Sequence, residues 1–170
     1  MSAPWLSDGY DQLWVTQRGA RPVPVEGAAP WHRSGDVGHL DHEGRLWIEG
    51  RAVHVVHTDA GAVPPVPVEV VVERVAGIER CAAVGVGPVG CQQLVVVVER
   101  AGAGADGLAD SVLTAHVRAA VADAMPTPVA AVLQVRALPV DIRHNTKIDR
   151  TALAGWASAV LAGERARRPR

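Results

Sequence analysis

The sequence has no phenylalanine, one tyrosine and two cysteines. Cys81 and Cys91 show neither a CxxC spacing nor the Cys/His spacing of zinc ligands, so they do not make a zinc site. Each thiol lies in an apolar or glycine-rich stretch. We therefore expect two buried or partly buried free thiols and no metal centre built on cysteine.

The sequence also lacks a surplus of either charge. Its formal net charge is -1 at pH 7, and its pI is about 6.6. Such a chain has no excess of cations to pair with a nucleic-acid backbone or an anionic membrane surface. The only basic cluster is in the tail, which we interpret as a frayed and solvated terminus: Arg165, Arg167, Arg168 and Arg170.

Long apolar runs are missing as well. No run reaches the roughly 18 to 20 residues of a membrane-spanning helix, and the first residues lack the charged start and apolar core of a signal peptide. We therefore expect a cytoplasmic protein with no membrane span and no nucleic-acid partner.

The scarcity of lysine is the most informative feature of the composition. The 17 basic residues include a single lysine, Lys147, and all the others are arginine. Together with abundant Ala, Val, Gly and Pro, this bias resembles that of a high-GC genome, in which lysine drifts to arginine wherever a generic positive charge suffices. A lysine that persists indicates a role that arginine's planar fork cannot copy. Chance survival is the alternative.

The first third of the chain is rich in turns. Residues 1–30 carry many prolines and glycines and predict loops, with one short strand near Leu13 to Thr16. Residues 38–40 and 45–48 then predict a β-hairpin whose loop is closed by Gly44. Residues 52–57 continue with the composition of a strand.

The remainder alternates between helical and strand patterns. Four valines at helical spacing predict a helix over 68–75, with Glu69 and Glu73 on its opposite face. Residues 81–86 and 94–98 predict strands, an apolar stripe from Leu108 to Ala124 predicts a helix, and residues 130–137 predict another strand. A final helix carries Leu153 and Trp156 and ends at Gly163. This order predicts an α+β fold, a small mixed-sheet domain with three helices that follows a β-hairpin.

Lys147 breaks a local rule of helix chemistry. Asn145 and Thr146 are helix-capping residue types, and we place Asp149 in the first turn of the final helix. Lys147 then puts a positive charge at the positive end of the helix dipole, which costs up to about 1 kcal/mol unless an anion binds there. The arrangement predicts a phosphate site.

Two other positions have the chemistry of a nucleotide site. Asp36 follows a glycine, so its carboxylate could accept hydrogen bonds from ligand hydroxyls, or it could be a solvated turn residue. Arg51 follows Gly50 and could reach a phosphate or be an exposed charge. The residues alone leave both alternatives open.

The order and spacing of three segments resemble the adenylate-forming superfamily of acyl-CoA synthetases, peptide-synthetase adenylation domains and luciferases. HRSGDV resembles the family's [Y/W]RTGD segment, GRLWIEGR resembles the sequence that leads into its interdomain hinge, and NTKIDR resembles its closing [S/N]GKIDR. The resemblance covers nearly the whole chain. Residues Ser7 to Tyr10 are similar to the end of the preceding family segment.

The resemblance implies a role for each matched residue. Asp36 would bind the ribose hydroxyls of ATP, and Arg51 would approach the ribose or the α-phosphate. Lys147 would be the catalytic residue that binds the carboxylate and α-phosphate during adenylation. ATP and Mg²⁺ are the implied cofactors, and the implied substrate is a fatty or β-hydroxy acid.

The sequence also departs from the family pattern. Val53 stands at the hinge position where the family usually has Asp or Lys, and the glycine-rich turn that follows is replaced by HTDAGAVPPVPVE. These departures resemble the olefin-biosynthesis branch, whose members close a β-hydroxy acid to a β-lactone instead of passing it to CoA. The second step is thus either CoA thioester formation or β-lactone closure. His54 and His144 also fit that branch.

The resemblance predicts two parts of unequal completeness. Residues 1–50 would be the last part of the large domain, and residues 51–170 the small swinging domain, or lid. Trp5, Trp14, Trp31 and Trp47 all lie in the first part, so we expect an apolar patch where the rest of the large domain would pack. The alternative is a non-catalytic binding or regulatory module, or a decayed remnant, that packs on a full-length ligase.

The isolated chain should show no ATP-pyrophosphate exchange with any acid, because no Ser/Thr/Gly-rich phosphate loop ending in Pro-Lys-Gly is present. An isotope-exchange assay on the purified chain, with Lys147→Ala as the background control, checks this. Exchange above that background would contradict the expectation.

Overall fold

The computed structural model describes residues 14–21, 31–100, 102, 104–140 and 147–168. The first described element is a short helix, α1, over Trp14–Ala20. The prediction of a strand near Leu13 to Thr16 is therefore wrong from residue 14 onward. A tertiary contact outweighs the β-branched residues there, since Ala20 is buried and its carbonyl accepts a 2.8 Å hydrogen bond from the Arg33 N–H.

A β-hairpin follows, as predicted, formed by β1 (Asp36–Leu40) and β2 (Leu46–Arg51). Asp41 organises its turn, because its carboxylate accepts hydrogen bonds from the Arg45 side chain at 2.7 Å and the Trp47 indole at 2.8 Å. These two side-chain bonds, the Trp47 bond foremost, lower the pKa of Asp41 to about 2. Gly44 closes the turn at φ 77°, a conformation that favours glycine.

The segment after the hairpin is divided into more and shorter elements than predicted. A 3₁₀ turn occupies Ala52–His54, and β3 (Val56–Thr58) pairs antiparallel with β4 (Gly61–Val63). The predicted strand over 52–57 is thus wrong in its first half.

The main sheet is four-stranded and mixed. It contains β5 (Arg80–Val86), β6 (Gln93–Glu99), β7 (Gly107–Leu108) and β8 (Val129–Val135). Its spatial order is β5-β6-β8-β7, with β6 and β8 parallel and the outer pairs antiparallel. The strand β5 is therefore an edge strand of the sheet.

Helices cover both faces of this sheet. Residues of α2 (Pro65–Val72) and α3 (Ser111–Ala124) join one core with alternate residues of the strands, and α4 (Arg150–Leu161) joins the other core with the remaining strand residues. Successive strand side chains point to opposite faces, which is why the long valine runs feed both cores. The domain is thus a sheet between two helical layers.

The boundaries of α3 correct one detail of the sequence prediction. Asp110 caps this helix by accepting a 2.8 Å hydrogen bond from the Leu113 N–H. Leu108, predicted on the buried stripe, lies instead in β7 and is 65% exposed. The buried side of the helix consists of Leu113, Val117 and Val121.

The carboxy-terminal segment packs on the domain through Ala166 and Arg168, so the prediction of a frayed terminus is wrong there, whereas Arg165 and Arg167 are exposed as expected. Ala166 packs against the core of α4, and its carbonyl accepts a 3.3 Å hydrogen bond from the Trp156 indole. Arg168 donates a hydrogen bond to the Ala137 carbonyl and forms a 3.5 Å ion pair with Asp106. Arg170 lies outside the described residues.

The predicted fold class is confirmed. The described residues form a mixed sheet with three helices after a β-hairpin, and α1 precedes that hairpin. Cys81 is a buried free thiol as expected, whereas Cys91 is an exposed one. Within the described residues, no helix is long and apolar enough to cross a membrane.

The hairpin leaves apolar side chains uncovered. Trp31 and Trp47 are more than half exposed, as expected for an apolar patch, and so are Leu40, Leu46 and Ile48. Trp5 and the side chain of Trp14 lie outside the described residues. Because a two-stranded ribbon with exposed apolar side chains is only marginally stable, this surface favours a packing partner.

Replacing Leu46 and Ile48 together by serine should reduce self-association of the chain, because it removes apolar area from the hairpin. Sedimentation velocity over a series of protein concentrations would measure the effect. Val112→Ser is the matched control, since Val112 is 63% exposed on α3, away from the hairpin. A monomeric parent chain at high concentration, or an equal response to both changes, would contradict this.

Candidate functional site

Asp36 and Arg51 face each other at the open end of the hairpin. They are partners in the β1–β2 register, and Arg51 Nη1 lies 3.1 Å from Asp36 Oδ1. The Asp36 side chain is 32% exposed and that of Arg51 57% exposed. The sequence analysis assigned both to one nucleotide, and the structure brings them together as a solvent-accessible ion pair.

Two glycines allow this arrangement. Gly35 has φ 80°, and a Cβ there would lie 3.4 Å from the Arg51 guanidinium. Gly50 has φ 135°, and a Cβ there would lie 2.9 Å from Pro65 Cγ. Only glycine combines these conformations with such close approach. The end of β2 therefore packs directly against the start of α2, which fixes where Arg51 leaves the hairpin.

The predicted hinge, Val53, lies immediately beyond and is 82% exposed. Its neighbour His54 is half-buried in the wall of a cavity of about 190 Å³, which Arg150 and Thr151 of α4 also line. Burial lowers the pKa of His54 below its usual 6.5, and the positive charges of Arg150 and Arg51 lower it further. The imidazole is therefore neutral near pH 7. His144 lies outside the described residues.

Lys147 is exposed on the segment that leads into α4, not within the first turn of that helix. The prediction for Asp149 is wrong, because Asp149 is the N-cap itself and accepts a 2.9 Å hydrogen bond from the Ala152 N–H. A carboxylate at the N-cap competes effectively for the first free amides, which moves the helix start to Arg150. The expected capping residues Asn145 and Thr146 lie outside the described residues.

The segment after Lys147 is tied to the domain. Ile148 forms a β-bridge with Val140, and the Asp149 N–H donates to the Pro139 carbonyl at 3.0 Å. Among the described residues, none forms a hydrogen bond or ion pair with the Lys147 ammonium. Lys147 therefore exposes its charge to solvent, while the residues that follow it are bonded to the domain.

Glu69 is buried, although the helical spacing predicts it on the face opposite the valines. Glu69 is 8% exposed, and its carboxylate accepts three hydrogen bonds from the Arg150 guanidinium at 2.7 to 3.1 Å. Its Oε1 also accepts the Ala83 N–H at 2.9 Å. Helical periodicity could not reveal this pair, because its partner lies 81 positions away in the sequence.

One cavity brings the predicted hinge residue Val53 together with the start of α4. Val53 and His54 line it with Arg150, which lies three positions after Lys147 in the sequence, and Arg51 lies two positions before Val53. The part of the chain that the structure describes contains no group of three His, Cys, Asp or Glu side chains suited to a metal ion.

The fold and the segments that carry Asp36, Arg51 and Lys147 agree with one protein superfamily. The chain belongs to the adenylate-forming, AMP-binding superfamily and corresponds to the carboxy-terminal part of its members. No family model matches the sequence.

Among curated proteins, the chain is similar to two olefin β-lactone synthetases. It is 46% identical over 134 residues to the one from Stenotrophomonas maltophilia, an alignment that covers 76% of this chain and 23% of that protein. It is 43% identical over 128 residues to the one from Xanthomonas campestris, covering 75% and 23%. The chain thus spans about a quarter of the length of the curated relatives it matches.

Solved structures agree on the fold. A benzoate CoA ligase from Burkholderia xenovorans matches with a TM-score of 0.71 at 22% identity, over 90% of this chain and 29% of that one. An amide bond synthetase from Marinactinospora thermotolerans matches with a TM-score of 0.68 at 26% identity, over 88% and 28%.

His54→Gln should flatten part of the pH dependence of folding stability between about pH 7 and pH 5. Because the folded-state pKa of His54 is lowered, its contribution is present above the unfolded pKa of about 6.5 and is lost as the pH falls towards the folded value. Denaturant unfolding at several pH values measures this. His42→Gln, at an exposed turn position, is the control. An unchanged pH profile in His54→Gln would contradict the assignment.

Proposed function

We propose that residues 51–170 of this chain form the lid of an ATP-dependent ligase that activates a fatty or β-hydroxy acid as its acyl-adenylate. The observation that carries the proposal is the position of Lys147. Lys147, the only lysine of the sequence, is exposed just before α4, on a segment attached to the domain core. The similarity to olefin β-lactone synthetases supports the same activity.

In the proposed adenylation, an oxygen of the substrate carboxylate attacks the α-phosphorus of ATP. A bond forms between these atoms, the bond to the bridging oxygen breaks, and pyrophosphate leaves with the electron pair. Lys147 stabilises the negative charge that grows on the transferring phosphoryl group, as a preorganised cation does in other phosphoryl transfers. Because its ammonium is a compact point charge, Lys147 can contact the carboxylate and the phosphate together.

The side chains of Asp36 and Arg51 are suited to binding the ribose and a phosphate of ATP. The Asp36 carboxylate is partly exposed and keeps acceptor capacity beyond its hydrogen bond to Arg51, so it can accept bonds from ribose hydroxyls. Arg51 can turn its exposed guanidinium to a phosphate. Mg²⁺ would neutralise phosphate charge when bound, but the described residues offer it no cluster of ligands. We therefore assign it to the remainder of the enzyme.

For the second step we propose β-lactone closure in preference to CoA thioester formation, because both curated relatives are olefin β-lactone synthetases. The β-hydroxyl of the substrate would attack the acyl carbonyl and AMP would leave. The domain boundary belongs to the same proposal: residues 1–50 complete the large domain, Val53 is the pivot, and residues 51–170 swing. The partner is then the amino-terminal large domain.

In a complete enzyme, Lys147→Ala should slow acyl-adenylate formation about 10²-fold or more, as expected for loss of one preorganised charge contact. Lys147→Arg should restore little, because a planar guanidinium places its charge elsewhere. This chain fused to the large domain of the Stenotrophomonas relative supplies the enzyme, and ATP-pyrophosphate exchange measures the rate.

Arg74→Ala is the matched control, because Arg74 is an exposed basic residue just after α2. The second step is measured separately from pre-formed acyl-adenylate and should be largely preserved in both Lys147 variants. Near-normal adenylation by Lys147→Arg, or equal losses in both steps, would remove Lys147 from this role. If neither Lys147 substitution changes the rate of ATP-pyrophosphate exchange by the fusion, the non-catalytic module is favoured instead.

A further inference from the structure

Glu69 and Arg150 join helices on opposite faces of the sheet. Glu69 lies on α2 and Arg150 is the first residue of α4, and both helices pack against the edge strand β5. The guanidinium binds both carboxylate oxygens, with Nη2 at 2.7 Å from Oε2 and 2.9 Å from Oε1. The pair therefore links α2 to α4 across the edge of the sheet.

The same carboxylate also accepts a hydrogen bond from a backbone N–H of the edge strand β5. Glu69 Oε1 accepts the Ala83 N–H, which would otherwise be an unpaired donor on the outer side of β5. With the side chains of Glu69 and Arg150 only 10% and 19% exposed, water competes little for these bonds. A buried ion pair adds little net stability, since desolvation offsets the attraction, but its geometry is strict.

This geometry bears on Lys147. Among the described residues, the anchors of the Lys147 segment all lie on its carboxyl side: the Ile148–Val140 bridge, the Asp149 bond to Pro139 and the Glu69–Arg150 pair. Of these three anchors, the Glu69–Arg150 pair is the one that connects the segment to the opposite face of the sheet. Losing it would free the start of α4 to shift relative to β5 while leaving both cores in place.

We infer that Glu69 is a positioning residue, which acts through Arg150 to fix where Lys147 presents its ammonium. The catalytic consequence of this inference rests on the proposed function. The structural part does not, and it is testable in the isolated chain. Glu69→Gln is the narrowest change, because the glutamine oxygen can still accept the Ala83 N–H while the charge facing Arg150 is lost.

Amide hydrogen exchange of the isolated chain tests the structural part. In Glu69→Gln, the Asp149 N–H should exchange about 10-fold faster or more, while the amides of β6 keep their protection, because the opening is local. Asp110→Asn is the matched control: it removes a carboxylate from the 3.3 Å Arg100–Asp110 pair but keeps a capping side chain on α3. Unchanged exchange at Asp149, or the same increase in Asp110→Asn, would overturn the inference.

A double-mutant cycle in the complete enzyme tests the consequence. Glu69→Gln should slow adenylation about 10-fold when Lys147 is present and less than about 2-fold in the Lys147→Ala background, because a positioning residue has nothing left to position there. If Glu69→Gln does not fold, Arg150→Lys replaces it, since it keeps the charge but loses the bidentate geometry.

The two proposals fail in different ways. A Glu69→Gln loss that is equal with and without Lys147 would overturn the positioning role and leave the role of Lys147 standing. Normal adenylation by Lys147→Ala would instead overturn the proposed function, while the exchange experiment would still decide whether Glu69 fixes the segment.

Discussion

The Glu69–Arg150 ion pair is the directional contact between the two helical layers of this domain. The apolar cores of the two faces hold the helices against the sheet, but apolar contacts are non-directional and allow a helix to slide. A bidentate carboxylate–guanidinium pair defines direction as well as distance. By also accepting the Ala83 N–H, Glu69 ties both helices to one point on the edge strand β5. Arg150 then forms part of the cavity wall beside His54, so the segment around Val53 and the start of α4 share this support.

The residues proposed for chemistry lie outside the cores, on segments that the cores and this pair fix. Asp36 and Arg51 close the hairpin, whose end packs on α2 through the contact between Gly50 and Pro65. Lys147 precedes α4 and is exposed. Such a division suits the proposed swinging part, because Lys147, exposed on a rigid body, can be presented to the nucleotide and withdrawn while Asp36 stays with the large domain. The uncovered apolar side chains of the hairpin favour the same picture of a surface that another domain would cover.

Local patterns in the sequence predicted the fold class, the hairpin and most strands and helices, because valine runs, turn glycines and helical spacing act over a few residues. The errors lie where tertiary contacts decide. The buried location of Glu69 depends on Arg150, far away in the sequence, and helical periodicity alone placed it in solvent. The sequence pattern predicts Asp149 in the first turn of the final helix, whereas Asp149 is the N-cap and the helix begins at Arg150. The pairing of Asp36 with Arg51 follows from the hairpin register, which the bulge between Val37 and Gly38 shifts. The roles of Asp36, Arg51 and Lys147 came from the family resemblance and remain proposals.

In a complete enzyme, we propose, Lys147 and Asp36 contact the same acyl-adenylate. A crystal structure of the fusion with a non-hydrolysable acyl-sulfamoyl adenosine, whose sulfamoyl group stands in for the phosphate, would show whether they do. We expect the Lys147 ammonium within hydrogen-bonding distance, about 3 Å, of the acyl carbonyl or sulfamoyl oxygens, and the Asp36 carboxylate on the ribose hydroxyls. A lid closed over the bound ligand with Lys147 directed to solvent, or a ribose held by residues other than Asp36, would contradict it.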